Sequence, residues 1–296
     1  MKRSTAKAIL RRVFGCAQPL PLRVMASVVL CTVGFAQTSR DIQELVRQAV
    51  ANEQGPFLAG SCVYQYHREG SGRHETLQMI KSNDLIVGKL VRIDNAPLSK
   101  DQEQKEDDQL RHLLHDSGAQ QQQRKRQQRF EHYIRELIQA FPQAFRYTET
   151  KTEVTADGGR LIHMSFQPSP DFHPASAELE VMQGLSGLMV IDDARKRIVR
   201  LDAHLFRDVD FGWGILVHVN KGGDLLLERE RTSPPGSDVR ALSLNIDGRI
   251  LLLKKLETHW SFDHFTWLDR SLDLASAVNL LTAPDVAGYF SGLRSH

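Results

Sequence analysis

The stretch GLMVIDDARKRIVRLDAHLF, Gly187 to Phe206, decides the fold. Val199, Leu201, Ala203 and Leu205 alternate with Arg200, Asp202 and His204, so its second half is a strand with one apolar and one wet face. The first half is a second apolar run, so the whole stretch reads as a hairpin.

The same alternation recurs on either side. Asp157-Gly158-Gly159 marks a hairpin turn inside TKTEVTADGGRLIHMSF, and Ser82-Asn83-Asp84 marks another between LQMIK and LIVGKLVRI. CVYQYHRE, starting at Cys62, reads as a strand. In VRALSLNI, Leu242, Leu244 and Ile246 alternate with Ser243 and Asn245. In LETHWSFDHF, Leu256, Thr258, Trp260 and Phe262 alternate with Glu257, His259, Ser261 and Asp263.

Strands with one apolar face need a cover. Two segments offer it. Ile42, Leu45, Val46, Ala49 and Val50 fall at helical spacing behind a Thr38 or Ser39 cap, and Gly55-Pro56 stops that helix. Ser99 and Gln102 form a capping-box pair that opens a helical excursion over about 98–141. It sets Phe130, Tyr133, Ile134, Leu137, Ile138 and Phe141 on one face, and Pro142 is expected to end it. The fold class expected is mainly β (α+β), a strongly curved antiparallel sheet forming an incomplete β-barrel covered by helices.

DVDFGWGILVHVNKGG, Asp208 to Gly223, reads as part of that sheet. Gly212 and Gly214 around Trp213 mark a bend, and Lys221 to Asp224 marks the turn that follows.

Residues 1–36 carry Lys2, Arg3, Lys7, Arg11, Arg12 and Arg23 with no acidic residue, then the apolar run Val24 to Phe35. This is the pattern of a secretory signal peptide cut near Ala36. An apolar run of that length covers about 18 Å as a helix, short of the roughly 30 Å of a hydrocarbon core, so no transmembrane span is expected in the mature form. RRVFG leaves open a twin-arginine route, and Cys31 leaves open lipidation. Removal of the six positive charges turns a formal +2 into 32 basic against 36 acidic residues, which argues against nucleic acid as a partner. Of the three cysteines only Cys62 follows the cut, so the mature chain forms no internal disulfide. The organisation expected is a signal peptide over 1–36, one half-barrel domain over 37–268, and a short C-terminal helix and tail over 269–296.

Six segments in order resemble a group of bacterial envelope proteins that are outer-membrane lipoprotein-sorting-like: RIDNAPLSKDQEQKE, IQAFPQAFRY, MSFQPSPDFHP, GLMVIDDARKRIVRLDAHLF, VDFGWGILVHVNKGG and LLLKKLETHWSFDHF. That group is similar in architecture to the lipoprotein carriers and receptors of the Lol pathway. The resemblance implies an apolar half-barrel closed by helices that takes acyl chains, in the periplasm or peripherally at the outer membrane. GSGRHETLQMI departs from the acidic hairpin expected there, and the tail after Leu268 has no counterpart in the group.

The partners expected are lipid or lipoprotein acyl chains and an envelope protein. The candidate ligand-lining residues are Phe130, Ile134, Leu137, Ile138, Trp260 and Phe262, for all of which plain core packing is the alternative. A scaffold whose half-barrel is filled by its own side chains is the alternative for the whole protein. No HExxH, CxxC, P-loop, GxGxxG or GxSxG occurs, so no catalytic residue, cofactor or metal ligand is assigned. Asp208 and Asp210 with His204 and His218 are the one constellation that suits a metal-assisted hydrolase, against the reading of an exposed polar strand edge. His259 and His264 beside Asp263 read as solvated, and Cys62 as a buried, inert thiol.

Overall fold

A computed structural model describes residues 41–53, 61–70, 72–82, 85–211, 217–231, 239–250, 254–268 and 271–283. The signal-peptide region, the Thr38 and Ser39 cap, Gly55-Pro56, Asn83-Asp84 and the Gly212 to Leu216 bend lie outside the described residues.

Helix α1 (residues 41–53) leads into β1 (Ser61–Gly70), β2 (Arg73–Lys81), β3 (Ile86–Ile93) and the short β4 (Ala96–Pro97). Two helices follow, α2 (Lys100–His115) and α3 (Ser117–Ala144), then β5 (Phe145–Val154) and β6 (Arg160–Pro168). A 3-10 helix (Ala177–Gly184) precedes β7 (Leu185–Asp192), β8 (Arg197–Leu205), β9 (Val209–Phe211) and β10 (Val217–Val219). The described residues close with β11 (Asp224–Arg229), β12 (Val239–Ile250), β13 (Lys254–Leu268) and α4 (Leu274–Leu281).

All thirteen strands join one antiparallel sheet in the order β4-β3-β2-β1-β13-β12-β11-β8-β7-β6-β5, with β9 and β10 pairing beside β12. The sheet is mainly antiparallel β with helices, and it is not closed. The hairpins β2–β3, β5–β6 and β7–β8 form where alternation and turn residues place them. Gly158 has φ +80, the left-handed geometry that its hairpin turn requires.

The excursion is two helices, not one. Ser99 and Gln102 make the full capping box of α2, and Asp116 ends α2 and caps α3 through the Ala119 N–H. Pro142 does not stop α3, which runs on to Ala144. Proline in the final turn removes only one interior hydrogen bond, and its carbonyl accepts one from the Gln43 side chain of α1.

The open sheet is bent. Gln123 and Gln127 of α3 bond the backbone of Ile86 in β3, and eighteen residues past Gln127 the same chain enters β5 at Phe145. Those residues span about 27 Å of helix. The path from β3 to β5 through the sheet crosses nine strand spacings, about 43 Å if flat. A straight helix links both edges only if the sheet bows, with α3 on its concave side.

Helices cover both faces rather than one. On the concave face, Ile42, Val46, Ala49 and Val50 of α1 and Leu137, Ile138 and Phe141 of α3 pack on Phe145, Ile162, Met164, Phe166, Met189 and Ile191. On the convex face of β1–β3, Val63, Ile80 and Val87 pack under Leu110 of α2 and Leu274, Val278 and Leu281 of α4. The short helix expected after residue 268 therefore belongs to the core. Alternation explains the split: Val63 and Tyr64 are neighbours in β1, and neighbours in a strand point to opposite faces. Buried charges fasten these helices, Lys89 of β3 to Asp107 of α2 at 2.7 Å and Arg229 of β11 to Glu53 of α1.

One expectation about the sheet is corrected. A bulge between Val190 and Ile191 shifts the β7–β8 register, so Ile198 faces Ile191 and is buried while Val199 is half-buried. In the Asp208 to Gly223 stretch, β9 and β10 pair antiparallel. Lys221 and Gly222 make the turn expected there, with Gly222 at φ +97, and β11 continues beside β12 on the same side as β10.

Candidate functional site

Beyond the first core, the concave face carries a row of half-buried apolar side chains. Register puts Leu77 opposite Tyr66, Tyr66 opposite Phe262, and Phe262 opposite Leu242, while Trp260 faces Leu244. All of these are half-buried. Tyr66 stacks on Phe262 with ring centroids 4.9 Å apart and meets Trp260 edge-on at 6.5 Å. Tyr64 lies 6.0 Å from Phe262 and stacks on Phe265 at 5.2 Å. Offset and edge-on pairs fix the rings in place and leave their remaining surface free for apolar contact. Burial raises the phenol pKa values of Tyr64 and Tyr66, so both are neutral at physiological pH.

The six candidate lining residues fall into different surroundings. Trp260 and Phe262 are in this row. Leu137 and Ile138 pack against the first core, Ile134 is half-buried, and Phe130 is 54% exposed. Tyr64 and Tyr66, which complete the row, were legible as a strand in the sequence but not as partners of Trp260 and Phe262. The two segments are almost two hundred residues apart and meet only because β1 pairs with β13.

A groove of about 330 Å³ lies between α1 and α3, among Gln43, Arg47, Val50, Gln139 and Gln143. Its lining mixes these polar side chains with Val50, Ala51 and Pro142, and none of the aromatic row contributes to it.

The histidines form pairs with carboxylates. His218 Nδ1 is 2.6 Å from Asp210 across β9 and β10, Asp208 accepts the Lys221 N–H at 2.7 Å, and His204 is paired with Asp224 at 2.7 Å. Three of the four residues singled out in the sequence thus meet, His218 Nε2 also lying 3.9 Å from Asp208, while His204 pairs separately with Asp224. His259 sits 3.4 Å from Asp247. Among the described residues, one group of three converges its potential ligand atoms within 4.8 Å: His67, Asp263 and His264. His67 belongs to β1, and nothing in the sequence pointed to it.

Cys62 is buried beside Tyr64 in sequence, and burial pushes its thiol up to about 12, against a smaller opposing pull from Lys81. A thiol held neutral is no nucleophile. Among the described residues no helix is long and apolar enough to cross a membrane. No family model matches the chain, and neither a curated protein nor a solved structure is similar to it.

Proposed function

We propose that this is an exported envelope protein that holds an acyl chain or a similar apolar ligand against the concave face of its half-barrel, as the resemblance to lipoprotein-sorting-like proteins implies. The observation that carries the reading is the row of Tyr66, Trp260 and Phe262 flanked by Leu77, Leu242 and Leu244, half-buried on a bent, unclosed sheet. An acyl chain needs a dry surface without polar groups, and each CH₂ it hides contributes about 0.8 kcal/mol. The row offers aromatic and aliphatic contact with its two phenols kept neutral. Periplasmic or peripheral outer-membrane placement rests on the amino-terminal pattern, and transfer to an envelope partner rests on the resemblance.

Titration of the mature protein with a fluorescent fatty-acid probe tests this. Saturable binding, displaced by unlabelled fatty acid and weakened by Trp260→Ala, is expected. Absence of probe binding would favour the scaffold reading, in which the row is packed for its own sake.

A further inference from the structure

We propose that His67, Asp263 and His264 form a binding site for a divalent transition-metal ion that ties β1 to β13. His67 Nε2 lies 3.1 Å from Asp263 Oδ1, and His264 Nδ1 lies 2.6 Å from the same oxygen. Ligands about 2.0–2.1 Å from a tetrahedral ion are about 3.3 Å from one another, so His264 must withdraw from Asp263 by about 0.7 Å, and His67 by less, to make room for the ion. The other nitrogen of His67, Nδ1, is 3.1 Å from Thr76 Oγ1. A proton on Nδ1 directed at that hydroxyl leaves the Nε2 lone pair facing Asp263, the outer-shell arrangement that orients metal-bound imidazoles.

The backbone is shaped for this convergence. Successive residues of a strand point to opposite faces, so Asp263 and His264 in regular β13 could not share an ion. A bulge opposite Val63 to Gln65 interrupts the β1–β13 register at this point, and His264 takes φ +55. A side chain other than glycine in the left-handed region costs conformational energy, and here the result is that both ligand atoms lie on one side. Two imidazoles and one carboxylate are the ligand set of zinc, nickel, copper or ferrous ions rather than of calcium or magnesium. All three side chains are partly exposed, so water completes the coordination.

The site is separate from the acyl-chain proposal. Asp263 alternates with Phe262 and His67 with Tyr66, which puts the ion on the convex face, and either proposal stands if the other fails.

The test uses untagged mature protein, stripped with a chelator and dialysed against Zn²⁺ at neutral pH, with bound metal counted and thermal unfolding followed. One equivalent bound and a raised unfolding midpoint are expected. His67→Ala and His264→Gly should bind none and lose the metal-dependent shift. Glycine suits φ +55, so the metal-free His264→Gly protein should unfold no earlier than the parent, which separates loss of a ligand from loss of fold. His218→Ala should still bind one equivalent. The proposal is overturned if the parent binds no Zn²⁺, if His67→Ala and His264→Gly bind as the parent does, or if His218→Ala alone abolishes binding.

Discussion

Gln127 of α3 accepts a hydrogen bond from the Ile86 backbone N–H of β3 at 3.0 Å, where a further strand would otherwise pair. Gln123, one helical turn earlier, donates to the Ile86 carbonyl, and Glu106 of α2 accepts from the Leu90 N–H at 3.2 Å. Side chains of two helices thus cap an edge that would otherwise invite pairing with another chain. The polar run Gln120 to Arg129, which has the composition of a solvated helix, does part of its bonding to a strand edge.

Replacing Gln123 and Gln127 together by Ala removes both caps. A cost of about 0.5–1.5 kcal/mol for each is expected. Hydrogen exchange of the Ile86 amide should quicken by about tenfold, and self-association at high concentration should rise. Unchanged exchange at Ile86 would show that the glutamines do not guard the edge.

Glu53 and Arg229 join α1 to β11 with side chains 7% and 3% exposed. Arg229 also donates to the Ile198 carbonyl at 3.0 Å. Glu53→Ala should cost about 3 kcal/mol in chemical denaturation because it removes a buried carboxylate partner of the guanidinium. Glu53→Leu combined with Arg229→Met should recover most of that loss. A small effect of the single substitution would mean that α1 is held by its apolar face alone.

Cys62 titrates on the alkaline side. Below its ordinary pKa near 9 the thiol is neutral folded or unfolded, so its burial adds no pH dependence there. Between pH 9 and about 12 the unfolded chain loses the proton and the folded chain keeps it. Stability should therefore fall as pH rises, by about 1.4 kcal/mol per pH unit from this group. Burial also raises Tyr64 and Tyr147, which adds to the fall above pH 10. Cys62→Ala should flatten the first part of the curve, and the native thiol should resist a disulfide reagent at pH 8 until the protein unfolds.

The concave row and the buried core should respond differently to truncation. Ile191→Ala, in the fully buried core, should cost about 2–5 kcal/mol. Phe262→Ala, half-buried, should cost roughly half that or less, yet lower the affinity for a fatty-acid probe by about tenfold. An equal loss of stability at the two positions would mark Phe262 as ordinary core.

Local features of this fold were legible in the sequence because alternation and turn chemistry act over a few residues. The hairpin at Asp157 to Gly159, the hairpin within Gly187 to Phe206 and the capping box at Ser99 are of that kind. Bulges were not legible. Val199 and Ile198 are both apolar and β-branched, so only the register shift beside Ile191 decides which is buried. The same holds for His264, whose conformation depends on how β13 meets β1. Strand order is a long-range property, and the pairing of β1 with β13 that assembles Tyr66, Phe262, His67 and Asp263 leaves no trace within either segment.

An acyl chain or a similar apolar ligand held on the concave face would travel with the protein through isolation. Lipid extraction and mass spectrometry of the mature protein, purified gently from its native envelope, test this most directly. Near-stoichiometric acyl-chain lipid is expected with the parent and markedly less with Trp260→Ala combined with Phe262→Ala. A parent protein that carries no lipid and also fails to bind a fatty-acid probe would contradict the proposed function.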